Sequence, residues 1–533
     1  MNRWFPATPS TRFLLFGCAV GLVLAAQDAR AAGQSDGQSA GQSDAALIAH
    51  GKYLADAGDC VACHSAPGGT PFAGGLYMNT PFGPISTPNI TPDRDTGIGK
   101  MTDDQFYRVF HQGIGMQGER LYPVMPFPWY TKVRRDDVLA IKAYLFSLPP
   151  VHAPRKPLKL EFPFNIRAGL IGWDTIFLKD GTFKPDPHQS EAINRGAYLV
   201  QGLGHCGECH NGNNMLGDTQ MAQALRGGPT DKWYAPNITS DTSQGVGRYS
   251  DAQLFQYLKT GNAPGMGVVV GPMAQTVHES LSKLTDADLH DIVAYLKSTP
   301  SKEGFKPEKL NPKGAVVATN AQSYLNYCAS CHGQDGKGVA GSVPNLAGNN
   351  AVAAQGPDTV IRVVLSGINA QGSYSPMPAI GARMTDQEVA EAVNYVRSAW
   401  GNNAPATAGG GKVAALRAVT KSMLAFNLPG GCPKPGNDDV AKVASSPAAQ
   451  KLLAGTDALT MTDNADALIA LVKSGAPKAS QADVINGLAV AYCPVVAGRA
   501  PDAADKALNG GSKSELLDEF AERVYTEITT KGS

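Results

Sequence analysis

Three pentapeptides of the form Cys-x-x-Cys-His constrain what this chain can fold into: Cys60-Val61-Ala62-Cys63-His64, Cys206-Gly207-Glu208-Cys209-His210 and Cys328-Ala329-Ser330-Cys331-His332. With 9 Cys and 10 His in 533 residues, chance placement predicts roughly 0.003 such pentapeptides. The pattern is the attachment signature of c-type haem. Two thiols add to the two vinyl groups of one porphyrin, and the adjacent histidine comes to lie under the iron as proximal ligand. Paired Cys-x-x-Cys units also bind zinc, but a closed zinc site needs two pairs acting together. Here each unit stands alone in its own segment, so the expectation is three covalently bound haem c groups attached at Cys60, Cys63, Cys206, Cys209, Cys328 and Cys331, with His64, His210 and His332 on the iron.

Length allows three or four domains of ordinary size, and an apolar content of 43% is globular. Equal numbers of acidic and basic residues give a formal net charge of zero. That balance speaks against nucleic acid as a partner. The N-terminus places Arg3 and Arg12 before an apolar run from Phe13 to Ala26, followed by Ala29-Arg30-Ala31. The run is too short to span a bilayer and reads as a signal peptide over residues 1–31, which implies export to the periplasm. Cys18 lies inside it. Bulky Phe16 and the apolar stretch beyond disfavour a lipobox, and cleavage at Ala31 would discard this cysteine. Beyond the haem motifs, Cys432 and Cys493 remain, and an oxidising compartment points to a disulfide between them. Closing that loop would contribute roughly 4 kcal/mol on the chain-entropy model.

The fold class expected is mainly α: three tandem cytochrome c-type domains and a helical C-terminal extension. Residues 32–44 are Gly, Gln and Ser-rich and read as a disordered leader. Domain one covers residues 45–151, domain two 188–303 and domain three 312–403. The chain repeats itself: Gly51-Lys52-Tyr53-Leu54 returns as Gly196-Ala197-Tyr198-Leu199, and Pro88-Asn89-Ile90-Thr91 as Pro236-Asn237-Ile238-Thr239. Each unit closes on an amphipathic helix, Asp137 to Leu145, Asp286 to Leu296 and Asp386 to Val396. The last two open on capping boxes, Thr285 with Asp288 and Thr385 with Glu388. A connector over 152–187, rich in proline and aromatics, is too apolar for a free linker and should pack along a neighbouring surface. Residues 404–411 read as a hinge before the 412–533 extension. Within that extension Val413 to Leu424 could be an amphipathic helix, either interfacial or packed on its own domain.

A second axial ligand is needed for fast electron transfer, and thioether sulfur suits a high potential. Met125, Met273 and Met377 each follow a proline or stand within one residue of it, at comparable distances after the three histidines. Proline keeps the loop out of helix, so the sulfur can face the iron. Most methionines are core filler. Recurrence at one place in each repeat selects these three, whereas His111, His205 and His290 read as surface or core residues. If every iron is six-coordinate, small substrates find no open position. Outer-sphere electron transfer then follows rather than haem-based catalysis.

On the three haem motifs, the Pro-Asn-Ile-Thr segments, the Pro-Met loops and Cys328-Ala329-Ser330-Cys331-His332-Gly333, residues 45 to 400 resemble the trihaem cytochrome c subunits of membrane-bound periplasmic dehydrogenases. The resemblance implies a non-catalytic electron-transfer subunit of a complex that oxidises an alcohol or aldehyde. Its partner would be a catalytic subunit of quinone, flavin or molybdenum type, its acceptor ubiquinone or a terminal oxidase, and its place the periplasmic side of the membrane, with peripheral contact. A free-standing periplasmic shuttle is the alternative. The tail, residues 412–533, departs from the family pattern.

Overall fold

The computed structural model describes residues 35–301, 321–420 and 437–498, apart from 79, 81, 215, 217, 219–223, 231, 369, 370, 372, 373, 458 and 459, together with 520, 523, 524, 527 and 528. The signal peptide and Cys432 lie outside the described residues. The described residues from 48 onward form one compact unit, which holds all three haem motifs, the connector and the tail.

The first segment contains α1 (Ser35–Ala57), α2 (Cys60–Cys63), the hairpin β1–β2 (Tyr77–Met78, Ile85–Ser86), α3 (Asp103–Gln112), α4 (Phe127–Tyr130) and α5 (Arg135–Ser147). Helix α1 begins inside the stretch expected to be a disordered leader. The connector forms α6 (Gly169–Phe177). The second segment runs α7 (Glu191–Gln201), α8 (Gly207–His210), β3–β4 (Gly228–Thr230, Trp233–Ala235), α9 (Asp251–Thr260), β5–β6 (Asn262–Ala263, Gly267–Val268), α10 (Pro272–Glu279) and α11 (Asp286–Ser298). The third comprises α12 (Gln322–Tyr327), α13 (Ala329–His332), α14 (Asn350–Ala353), α15 (Asp358–Ser366) and α16 (Asp386–Ser398). The tail adds α17 (Gly410–Arg417), α18 (Asp438–Ala444), α19 (Pro447–Ala454), α20 (Met461–Gly475) and α21 (Gln481–Ala497). The fold is mainly α, and no helix among the described residues is long and apolar enough to cross a membrane.

Local signals start these helices where the sequence asks for them. Thr102 with Gln105, Ser250 with Gln253, Thr385 with Glu388 and Ser480 with Asp483 form reciprocal capping boxes. Only half of the box expected at Thr285 forms. The Thr285 hydroxyl accepts from the Asp288 N–H, but the Asp288 carboxylate is taken by Arg195 through two bonds of 2.8 and 2.7 Å and by the Tyr53 hydroxyl. The long-range partners win because they satisfy a carboxylate that is largely removed from water.

That diversion has a counterpart. Tyr198 in the second segment donates to Asp137 of the first at 2.5 Å and accepts from the Arg134 N–H at 3.1 Å. Tyr53 of the first likewise donates to Asp288 of the second and accepts from the Thr285 N–H at 3.3 Å. Each tyrosine therefore caps the closing helix of the other segment. The two segments pair reciprocally, like the halves of an isologous interface. They share one hydrophobic core, which includes Leu54, Ile141 and Val138 from the first and Leu199, Leu289 and Val293 from the second. Burial raises the Asp288 carboxyl, but the bonds from Arg195 and Tyr53 outweigh it and hold the group below the usual carboxylate range.

The third segment has its own core around Tyr324, Ile361, Val389 and Val393, and the tail a separate one around Leu453, Leu468, Leu488 and Tyr492. The expected hinge at 404–411 is instead packed. Ala404 and Ala408 are buried, Arg397 donates to the Pro405 carbonyl, and Asn394 to the Ala408 carbonyl. These two polar residues are fully buried on α16, and the linker backbone supplies acceptors to both. Helix α17 lays Val413 and Leu416 on the third segment, and Arg417 bonds Asp386 and the Met384 carbonyl. Val413 and Leu416 are thus used internally, and residues 421–424 of the expected amphipathic helix lie outside the described residues.

The connector does pack along a neighbouring surface. Arg120 pairs with Asp174 at 2.9 Å, Trp173 meets the Phe127 ring and Phe183 the Tyr198 ring. Its outer side leaves Phe162, Ile166, Ile171 and Ile176 exposed.

Candidate haem-binding crevices

Each Cys-x-x-Cys-His lies on a single helical turn, α2, α8 or α13, entered from a longer helix. One turn places cysteines three apart on the same side, as two thioether bonds to one ring require. All six are free thiols in the structure. Burial pushes Cys60, Cys206 and Cys328 up to about 12 and Cys63, Cys209 and Cys331 up to about 11. Thiols so buried are poor nucleophiles.

The three histidines are held alike. His64 Nδ1 bonds the Pro88 carbonyl at 2.8 Å, His210 Nδ1 the Pro236 carbonyl at 2.7 Å and His332 Nδ1 the Pro344 carbonyl at 3.0 Å. A carbonyl can only accept, so Nδ1 carries the proton and Nε2 presents its lone pair. Burial lowers all three pKa values, that of His332 to about 4, which keeps the imidazoles neutral.

The repeated Pro-Asn-Ile-Thr has its reason here. Asn89 Oδ1 accepts from the N–H and hydroxyl of Thr91 at 2.9 and 2.8 Å, and Asn237 Oδ1 accepts from Thr239 in the same way at 2.8 Å each. This side-chain turn fixes the backbone just after the proline whose carbonyl clamps the histidine.

A second fixed point is not visible as a sequence repeat. Gly74, Gly227 and Gly338 donate their N–H to the carbonyls of His64, His210 and His332 at 2.7, 2.7 and 2.9 Å. All have positive φ, at 72, 83 and 65°. A Cβ on any of them would fall within 2.5 Å of backbone beside the clamping proline. Only glycine fits both demands. These glycines follow their motifs at three different distances, so periodicity does not reveal them. A glycine in the loop between the motif and its proline is the signal that could have found them.

Met377 is brought to His332. Cys328, Cys331, His332 and Met377 line one apolar cavity with Val268, Val270 and Ile485. The Met377 backbone is pinned by paired bonds with Ile368, at 2.9 and 3.0 Å. Met125 and Met273 lie at the edge of the shared core, as do Cys60 and Cys206. Met273 opens α10 directly after Pro272 at the first helical position. The three other histidines have structural partners: His111 bonds the Val133 carbonyl, His205 the Leu203 carbonyl, and His290 stacks on Phe255. Among the described residues there is no cluster of three or more His, Cys, Asp or Glu placed to hold a metal ion. Paired thiols, a histidine with a free Nε2 and an apolar wall fit haem c.

The motif-bearing segments adjoin one another. Helix α4 follows Met125 and reaches both of the first two motifs: Trp129 Nε1 donates to Glu208 of the second at 2.8 Å, and the Tyr130 hydroxyl to the Gly58 carbonyl just before the first at 3.0 Å. Helix α10, with Met273, packs on α2. Cys63 and Cys209 are close enough that ionisation of Cys209 would disfavour that of Cys63. On the other side the extended segment after β5 sends Val269 into the shared core and Val268 and Val270 into the third crevice. The segment from Val268 to Val270 thus lies between the core shared by the first two segments and the third crevice.

Asp59, directly before the first motif, has φ of 52° and an Oδ1 that is buried without a hydrogen-bond partner. Burial, with nearby Glu279, pushes its pKa from 3.8 up to about 8. The folded state then holds a proton that the unfolded state releases, so this contribution to stability is complete below about 3.8 and is lost as pH rises through about 8. Asp59→Asn, which tolerates the same backbone, is expected to match the parent at pH 4. Above pH 8 denaturant titrations should find it more stable by about 2 kcal/mol. Equal stability at both pH values would show that the carboxylate is solvated.

Residues 193–300 match the family model described as cytochrome c, and residues 315–396 the model described as cytochrome c oxidase, cbb3-type, subunit III. The gluconate 2-dehydrogenase cytochrome c subunit of Pantoea cypripedii is 38% identical over 396 residues, covering 70% of this chain and 90% of the relative. The fructose dehydrogenase cytochrome subunit of Gluconobacter japonicus is 38% identical over 411 residues, 70% of this chain and 84% of the relative. The cytochrome c subunit of the quinone alcohol dehydrogenase of Gluconobacter oxydans (strain 621H) is 36% identical over 399 residues, 70% and 83%. Clamped histidines, thiol pairs on single turns and relatives covered over most of their length lead to one conclusion: the chain belongs to the family of dehydrogenase cytochrome c subunits, electron-transfer proteins with covalently bound haem c.

Proposed function

We propose that this chain is a trihaem relay, with His64 and Met125, His210 and Met273, and His332 and Met377 as axial pairs, serving a catalytic dehydrogenase subunit on the periplasmic side of the membrane. The observation that carries the reading is the threefold recurrence of a histidine whose Nδ1 is spent on a proline carbonyl beside two free thiols. Haem c supplies a reversible one-electron couple when bound. The chain's own residues do the rest. The cysteine pairs anchor, the proline carbonyls fix the imidazole tautomer, the methionines supply soft sulfur, and Val268, Val270 and their neighbours exclude water. Crevices set side by side are what a relay needs, since electron tunnelling fades steeply with distance.

The relatives are named for gluconate, alcohol and fructose, all hydroxyl compounds. The partner is therefore assigned a hydroxyl-bearing substrate, with alcohol or aldehyde as the narrower reading, and ubiquinone or a terminal oxidase as acceptor. Peripheral membrane contact moves from α17, whose apolar face is occupied, to the connector. There exposed Phe162, Ile166, Ile171 and Ile176 stand with Arg167 and Lys179 nearby in sequence, which suits an interfacial segment.

The test is purification from solubilised membranes, with haem quantified per chain, partners identified by mass and quinone reduction assayed. Three haems per chain and a co-purifying flavin, quinone or molybdenum subunit whose substrate reduces quinone support the proposal. Two haems per chain would overturn the count. A lone chain in the soluble periplasm that reduces an oxidase unaided would establish the shuttle instead.

A further inference from the structure

The tail closes over the third crevice. Helix α21 packs across α13, the turn that bears Cys331 and His332. Cys331 itself lies against the tail's own core. Ile485 of α21 is 1% exposed and lines the third cavity together with His332 and Met377. The helix is firmly set: Ser480 and Asp483 cap it, Val484 and Leu488 anchor it in the tail core, Gly487 lies against Val440 of α18, and Cys493 is disulfide-bonded.

Cys63 and Cys209 lie near one another. Cys331 is instead covered by the tail. A helix laid over a crevice edge interposes about 10 Å of protein, and an apolar wall disfavours the more positively charged oxidised iron relative to the reduced one.

We propose that the C-terminal helical unit is a lid on the third haem, in which Ile485 is a positioning residue that keeps the Cys331 edge dry, holds that haem's potential up and directs electron exchange to another face. The inference rests on the trihaem proposal. Electrons that reach the third crevice would then leave only where the acceptor docks, and adventitious oxidants in the periplasm would be kept from this edge.

The experiment uses the full holoprotein with Ile485→Gln, which admits a polar group and water, and Ile485→Leu, which keeps the wall apolar. Haem per chain is counted first, then all potentials are measured by spectroelectrochemical titration, and oxidation of the reduced protein by ferricyanide is timed. Ile485→Gln is expected to lower one of three potentials, leave the other two in place and speed oxidation of that same haem. Ile485→Leu should behave as the parent. A Gln variant with unmoved potentials and unchanged ferricyanide rate would overturn the lid while leaving the relay intact. A shift of all three potentials together would also overturn it, as general loosening. A parent with only two haems would overturn both.

Discussion

On the proposed trihaem relay, alanine at both Cys206 and Cys209 is expected to abolish substrate-driven reduction of the acceptor by the assembled complex, while one terminal haem is still reduced by substrate. The reason is position. Helix α4 joins the first two motifs, with the Trp129 indole N–H on Glu208 and the Tyr130 hydroxyl on the Gly58 carbonyl, and the segment from Val268 to Val270 lies between their shared core and the third cavity. In the proposed trihaem relay the route from first to third haem runs through the neighbourhood of the second motif. Without the two thioethers the proposed middle haem has no covalent hold, and the relay loses its central step. Stopped-flow absorbance of the complex would show partial haem reduction on substrate addition, and quinone reduction would fall to the haem-free background. Met273→Ala, which leaves the thioethers in place, should act in the same direction with a high-spin ferric band as its signature. Normal quinone reduction by the double variant would mean that the second crevice is off the route.

What the sequence made legible depends on what chemistry holds at fixed spacing. Thioether attachment and proximal ligation demand Cys-x-x-Cys-His, and the clamp behind His64 and His210 needs the repeated Pro-Asn-Ile-Thr, so both stood out. The three closing helices were also readable from apolar spacing and came within two residues at each end, as in Asp386–Ser398. Contacts between remote segments were not readable. Asp288 could be seen as the partner of Thr285 three residues away, but not of Tyr53 and Arg195, because nothing local records a bond across 235 residues. For the same reason two haem segments with separate motifs do not disclose that they share one core. Glycines 409 to 411 suggested a hinge, and the backbone beside them is instead consumed by Asn394 and Arg397, buried polar groups whose need for partners shows only once α16 is packed. Ile485 reads as any apolar helix residue; its contact with the third cavity is purely tertiary.

Valine in place of Gly196 is expected to prevent accumulation of haem-loaded protein. Helices α7 and α11 cross here so closely that an added Cβ would lie 1.9 Å from the Asp291 carbonyl oxygen and 2.8 Å from the Tyr295 Cβ. Gly51 makes the corresponding crossing of α1 on α5, with the Ala140 oxygen 1.8 Å from where its Cβ would be. The atoms met are backbone in the middle of helices, which cannot swing aside as a long side chain could. The helices must separate, and typical packing distances of about 8–10 Å show how little room such a crossing has to spare. Overpacking of this kind costs on the order of 3 kcal/mol even for one methyl, and more for valine. The damage would not stay local, because Leu199 and Leu289 at this crossing belong to the core that also contains Leu54 and Ile141. Thermal midpoints should therefore fall for Gly196→Ala, and both of the first two haem sites should be lost for Gly196→Val in haem-stained gels. Gly172→Ala is the internal control, since its Cβ would meet nothing within 4 Å and it sits inside α6. Alanine there should stabilise the helix by about 1 kcal/mol. A Gly196→Ala midpoint no lower than that of Gly172→Ala would show that the α7 and α11 helices do not cross at contact distance.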